Sequence, residues 1–130
     1  MKIAYIFPGQ GTQVVGMGKD LYEKYDEVKN VYKRIDTALN ESVENITFNS
    51  SQEELNQTKN TQIAIYTMSM AIAEILRENG IKPEALAGLS LGEYSALTCA
   101  NVLSIEEGAK IVKIRGNLMQ DLVPAGNWSM

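Results

Sequence analysis

The sequence predicts an α/β fold, a parallel sheet with helices on both of its faces, and three observations carry that prediction. Two short apolar segments, KIAYIF at residues 2–7 and EALAGL at residues 84–89, read as strands. Each opens into a glycine-bearing turn. Each is then followed by sequence with helical periodicity, and strands separated by helices pair in parallel and are normally buried on both sides.

Taken in order, the first strand is β-branched and aromatic and stops at Pro8-Gly9. The loop PGQGTQVVGMG that follows carries Gly9, Gly11, Gly16 and Gly18, which invites a nucleotide-binding interpretation. Its spacing refuses one: a dinucleotide fingerprint starting at Gly9 needs glycine where Val14 stands, and a phosphate loop from Gly11 to Gly16 needs lysine where Met17 stands. What remains is a loop at the carboxyl end of a strand, where parallel sheets bind ligands and where backbone N–H groups can point inward. In DEVKNVYKRIDTAL, Val28, Val31, Tyr32, Ile35 and Leu39 recur at helical spacing, with Asp26 as the expected cap. Residues 40–59 are polar and read as loop and short helix, with Ser51 and Glu54 spaced as a capping box. Residues 61–79 are apolar on nearly every face through Leu76 and stop before Gly80 and Pro83, the pattern of a deeply buried helix with Met68 and Met70 as core filler. After the second strand, EYSALTCA reads as helix, and Ser104 with Glu107 forms a capping box that starts a last helix ending near Leu122.

Two strands are too few for an independent parallel sheet, so the chain is expected to be part of a larger domain. The final residues AGNWSM read as the beginning of a further element.

Of the 130 residues, 45% are hydrophobic and 22% charged, the balance of one ordinary globular domain. A net charge of −4 and a pI near 4.9 exclude the basic face of a nucleic-acid binder. The first apolar run is too short for a signal peptide and no stretch is long enough to span a membrane, so a cytoplasmic location is expected. Cys99, the one cysteine, reads as a small core residue, and with no histidine there is no metal-binding constellation.

The segment Gly88-Leu89-Ser90-Leu91-Gly92 has the form of a nucleophile elbow, in which a serine sits on a sharp strand-to-helix turn between glycines. The following helix would aim its positive end and the N–H of Leu91 at a developing oxyanion. Such a serine needs a base, and the sequence contains no histidine. Arg115 falls within the helical stripe of Ile111, Ile114, Leu118, Met119 and Leu122, whereas Lys110 and Lys113 point elsewhere. An arginine there either snorkels to water along its stem or meets a carboxylate, and a substrate carboxylate becomes the better account only if the elbow lies nearby.

Together FPGQGTQ, GLSLGEYSAL and RGNLMQDLVPAG, in that order and spacing, resemble the malonyl-CoA:acyl carrier protein transacylases along the whole chain. The resemblance implies that Ser90 is the acyl-accepting nucleophile. It also implies that Arg115 binds the free carboxylate of the malonyl group in bidentate fashion, and that the backbone N–H groups of Gln10 and Leu91 form the oxyanion hole. Glu93 keeps a structural role in the first helical turn. The implied chemistry is a ping-pong transfer for fatty acid synthesis, from malonyl-CoA as substrate through a malonyl-serine ester to the phosphopantetheine thiol of an acyl carrier protein, with no permanently bound cofactor. The sequence departs from the family at Leu89, where histidine usually precedes the nucleophile. Family members also continue well past residue 130 through a ferredoxin-like subdomain and bring the catalytic histidine with the later strands. Residues 1–126 are therefore expected to be the N-terminal part of the large subdomain, an α/β-hydrolase-like sheet lacking its later strands, with 127–130 starting the small one. The chain alone is expected to be inactive or nearly so. Three alternatives are a serine hydrolase of another α/β family, a non-catalytic module docking a carrier protein through Lys110 and Lys113, and the malonyl-loading domain of a polyketide synthase.

Overall fold

The computed structural model of the chain describes residues 1–123. Strands β1 (Ala4–Phe7) and β2 (Ala85–Gly88) pair in parallel, in a register that sets Ala4 against Ala85 and Phe7 against Gly88. Between them run α1 (Lys19–Lys24), α2 (Asp26–Leu39), a π-helical turn at Asn45–Asn49, α3 (Gln52–Leu55) and α4 (Thr58–Glu78). After β2 come α5 (Gly92–Cys99) and α6 (Ile105–Leu122). The expectations placed on residues 124–130 lie outside the described residues. No described helix is long and apolar enough to cross a membrane.

The expectation of helices on both faces is corrected: among the described residues they cover one. Side chains alternate along a strand, so Tyr5, Phe7 and Leu86 face the helical layer while Ala4, Ala85, Ala87 and Ile6, the last 80% exposed, face away from it. The crossover delivers α4 to one side of the sheet, and the turn after β2 returns α5 to that same side, where Phe7, Leu91, Ile65, Tyr66 and Met70 share one core.

α4 is the centre of that core, as its nearly continuous apolar sequence predicts, with Ile63, Ala64, Tyr66 and Ala71 fully enclosed. α2 lays Val28, Val31, Tyr32 and Ile35 against it, and Leu39 is partly buried. Its cap differs from the expectation: Tyr25, extended at φ −115°, is the cap residue, and Asp26 is the first helical residue, where its carboxylate suits the helix dipole. α1 runs into α2 with one residue between them, leaving Asp26 no room to stand outside the helix. Ser51 caps α3 by accepting from the Glu54 N–H at 3.1 Å, and Ser104 and Glu107 form the full reciprocal box at the start of α6. Of the two methionines read as core filler, Met70 is buried and Met68 half-buried. Cys99 is half-buried against the core, and burial pushes its thiol pKa up.

α6 turns a different face inward from the one its large apolar residues mark. It buries Gly108, Ala109, Val112 and Gly116 against α4, while Ile111, Ile114, Leu118 and Leu122 are 38%, 60%, 54% and 78% exposed. Small residues let two helix backbones approach closely, and that seam sets the rotation of α6 in preference to its larger stripe. Arg34 of α2 braces the start of α6 with a two-pronged contact to Glu106, at 2.7 and 3.0 Å.

Gly108 illustrates how tight the seam is. A methyl group there would overlap the Tyr66 hydroxyl and lie 2.6 Å from Thr98 Oγ1. That hydroxyl cannot easily yield, because it donates to the Ile105 carbonyl at 2.9 Å and lies 3.1 Å from Thr98 Oγ1. At Gly116 the nearest atom, Lys59 Cα, would lie 3.2 Å away. Gly→Ala in an open helix gains about 1 kcal/mol from propensity. Gly108→Ala is expected instead to cost about 1–3 kcal/mol, the scale of overpacking, and Gly116→Ala distinctly less, as measured by urea unfolding of the intact protein.

Candidate functional site

Ser90 is the middle one of the three residues between the end of β2 and the start of α5, and its φ of 53° places it in the left-handed region. The turn is tight because three backbone segments meet in it. A side chain at Gly88 would overlap the backbone of Gly92, and one at Gly92 would overlap the Phe7 carbonyl at the end of β1. Hydrogen bonds lock the bend: Leu89 N–H donates to Phe7 O at 3.2 Å, Gly92 N–H to Leu89 O at 2.8 Å, and Glu93 N–H to Ser90 O at 3.1 Å. The result exposes Ser90 and Leu89 while Leu91 is completely buried. The strand, serine turn and helix read from the sequence are therefore in place.

Arg115 reaches the elbow from the middle of α6. Its Nη2 donates to Ser90 Oγ at 2.9 Å, its Nη1 donates to Gln62 Oε1, and its Cζ lies 5.5 Å from the centroid of the Tyr94 ring. The condition attached to a substrate carboxylate, that the elbow lie near this side chain, is met. Among the described residues no carboxylate is within ion-pair distance of it, and its donors rest on a neutral amide and a hydroxyl. A guanidinium held this way keeps its charge available to an anion arriving at Ser90. Beside it, Tyr94, Ile111, Ile114, Leu118 and Met119 line an apolar groove of about 360 Å³.

The glycine loop closes the third side. A methyl at Gly9 would lie 2.7 Å from the Leu89 carbonyl and 3.7 Å from Ser90 Cβ, so the loop passes directly over the elbow. Val15 N–H donates to Gln52 Oε1 at 3.0 Å, Gly16 N–H to Thr47 O at 2.9 Å, and Gln13 Nε2 to Asn56 Oδ1 at 3.0 Å, which ties the loop to α3 and the π-helical turn. Among the described residues the backbone N–H groups of Gln10 and Leu91 donate to no other backbone group. The side chain of Gln10 is engaged, accepting from Gln62 Nε2 and donating to Thr58 Oγ1, both at 3.2 Å.

Gln62 is the residue of this cluster that pattern alone does not single out. It is 1% exposed and touches both Arg115 and Gln10. The available signal was a carboxamide inside the apolar run TQIAIYTM, since a buried amide must find partners. The two lysines weighed as a docking patch diverge: Lys110 is exposed, whereas Lys113 is engaged by Glu41 at 2.7 Å.

An exposed serine on a strained elbow, within hydrogen-bond reach of an arginine and under a glycine-bearing loop, is an arrangement suited to nucleophilic chemistry beside a positive charge. The chain belongs to the acyl transferase domain family, whose pattern matches residues 4–130. Among its relatives is the malonyl CoA-acyl carrier protein transacylase of Bacillus subtilis (strain 168), 44% identical over 129 residues that make up 99% of this chain and 41% of that protein. Among solved structures, an acyl carrier protein S-malonyltransferase from Vibrio cholerae O1 biovar eltor is 44% identical with a TM-score of 0.89, over 97% of this chain and 42% of that one. A malonyl-transacylase in complex with a type II PKS acyl-carrier protein is 38% identical with a TM-score of 0.90, over 97% and 41% of the two chains. The chain thus spans about 41% of the length of the curated relative.

The left-handed backbone at Ser90 has a measurable consequence. Both Ser90→Ala and Ser90→Gly delete the hydroxyl, but only glycine removes the Cβ that makes a φ of 53° costly. The glycine variant is expected to be the more stable of the two by about 1 kcal/mol in chemical denaturation of the intact protein. Equal stability would mean that the elbow stores no strain.

Proposed function

We propose that this chain carries the nucleophile and the acyl-recognition half of a malonyl transferase, moving a malonyl group from malonyl-CoA to the phosphopantetheine thiol of an acyl carrier protein for fatty acid synthesis. The observation that carries the proposal is the 2.9 Å contact between Arg115 Nη2 and Ser90 Oγ. A malonyl thioester has its carboxylate one methylene away from its reacting carbonyl. A cation and a nucleophile this close can therefore hold both ends of it at once. The names of the relatives support the same substrate pair, and the complex with an acyl-carrier protein supports the acceptor.

On this reading Ser90 Oγ attacks the thioester carbonyl as a base removes its proton. Negative charge gathers on the carbonyl oxygen between the N–H groups of Gln10 and Leu91, and the C–S bond then breaks, with coenzyme A leaving as a thiol after taking up a proton. The phosphopantetheine thiol reverses the sequence on the malonyl-serine ester. The resemblance to the malonyl transacylases implies histidine as that base, and the 130 residues include none. The described residues, 1–123, then belong to the N-terminal part of a hydrolase-like large subdomain. Arg115 supplies selectivity: a malonyl carboxylate satisfies it, and an acetyl group offers it nothing.

Two measurements on the intact protein test the proposal together. Incubation with malonyl-CoA should add one malonyl group on Ser90, located by peptide mass spectrometry and absent from Ser90→Ala. Arg115→Ala should lower kcat/KM for malonyl-CoA on the order of 10²-fold or more, the scale of two charge-assisted hydrogen bonds, while acetyl transfer changes little. An unlabelled Ser90, or an unchanged preference for malonyl over acetyl, would contradict it.

A further inference from the structure

We propose that Gln62 is a positioning residue that sets Arg115 and the Gln10 side chain in one fixed relation, so that discrimination in favour of a carboxylate-bearing acyl group depends on a carboxamide that touches neither end of the substrate. The inference rests on the malonyl-transfer reading and extends it to a residue of α4.

Polarity makes the assignment of this amide unambiguous. A guanidinium has only donors, so the group of Gln62 that meets Arg115 Nη1 must be its oxygen. Its NH₂ is thereby turned toward Gln10 and donates to Oε1 at 3.2 Å, which leaves the Gln10 NH₂ to donate to Thr58 Oγ1 at 3.2 Å. The arginine therefore dictates the orientation of two successive amides, and a reversal of either would set donor against donor. Because Gln62 is 1% exposed, water has little access to substitute for a lost partner. Gly116, next to Arg115 on α6, leaves the room: a methyl there would lie 3.3 Å from Gln62 Cβ.

The consequence concerns geometry at the substrate. With Nη1 held by Gln62, the plane of the guanidinium is fixed and Nη2 stays at Ser90. The same carboxamide engages the Gln10 side chain, but the loop backbone is held separately by Gln52, Asn56 and Thr47, so the Gln10 N–H proposed to receive the oxyanion of either acyl group does not depend on Gln62. Freed from Gln62, Arg115 can turn about its last bonds and present its fork at the wrong angle, and a carboxylate placed a fraction of an ångström off loses alignment at the reacting carbonyl.

The test is steady-state transfer by the intact protein with malonyl-CoA and with acetyl-CoA. Gln62→Leu should lower kcat/KM for malonyl about tenfold or more, the scale of a hydrogen bond to a charged group, and leave acetyl transfer within about threefold. Gln62→Glu keeps an acceptor for Arg115 but puts a competing carboxylate on it and cannot donate to Gln10, so it should lower the malonyl-to-acetyl ratio further. A parallel fall with both substrates, or a ratio left at the wild-type value, would overturn the proposal. A second readout is independent of turnover: the ¹⁵N resonances of the two Arg115 Nη atoms should be distinct in the wild type, where rotation is blocked, and merge in Gln62→Leu. Distinct resonances in both proteins would overturn the positioning role even if wild-type enzyme showed no malonyl transfer. Absence of malonyl transfer in the wild type, with the resonances behaving as expected, would instead overturn the proposed substrate and leave the positioning role standing.

Discussion

The close packing of α6 on α4 is the constraint from which the site follows. Gly108, Ala109, Val112 and Gly116 form the contact, and their small volume brings the two backbones together at one rotation of α6. At that rotation Arg115 is half-buried at the edge of the seam, above Gln62 of α4 and within reach of Ser90. A helix turned to bury Ile111, Ile114 and Leu118 would carry the guanidinium into the helical layer, where an unpaired charge is costly. The packing of small residues thus decides where the charge sits relative to the serine.

A second constraint acts on the serine itself. Backbone segments from β1, β2 and α5 crowd the elbow so closely that Gly88 and Gly92 admit no side chain, and Ser90 takes a left-handed conformation that its own Cβ disfavours. What that conformation achieves is exposure: the hydroxyl stands clear of the sheet at the start of α5, under the loop that carries Gln10. The loop is held from its other side by Gln52, Asn56 and Thr47, so the two walls of the site belong to one network of hydrogen bonds.

Much of this was legible in the sequence, and the portions that were not share a cause. The elbow was readable because its glycines are dictated by local crowding, and the cap at Ser104 because capping is a matter of four consecutive residues. The buried character of α4 was readable from its unbroken apolar run. The rotation of α6 was not, because the seam of small residues competes with a stripe of larger ones and only the facing helix decides between them. The same holds for Gln62, whose partners stand 52 and 53 residues away in the chain. Coverage of one sheet face in place of two, and the cap at Tyr25 in place of Asp26, likewise depend on where neighbouring elements run and not on the residues concerned.

The proposed function requires that Ser90 and Arg115 act on opposite ends of the same three-carbon acyl unit. A crystal structure of the intact protein trapped as its malonyl ester addresses that claim most directly. The account predicts an ester on Ser90 Oγ, the free carboxylate paired with the Arg115 guanidinium, and the ester carbonyl oxygen directed at the N–H groups of Gln10 and Leu91. An ester whose carboxylate points to solvent, with Arg115 unmoved from Gln62 and unpaired, would contradict it.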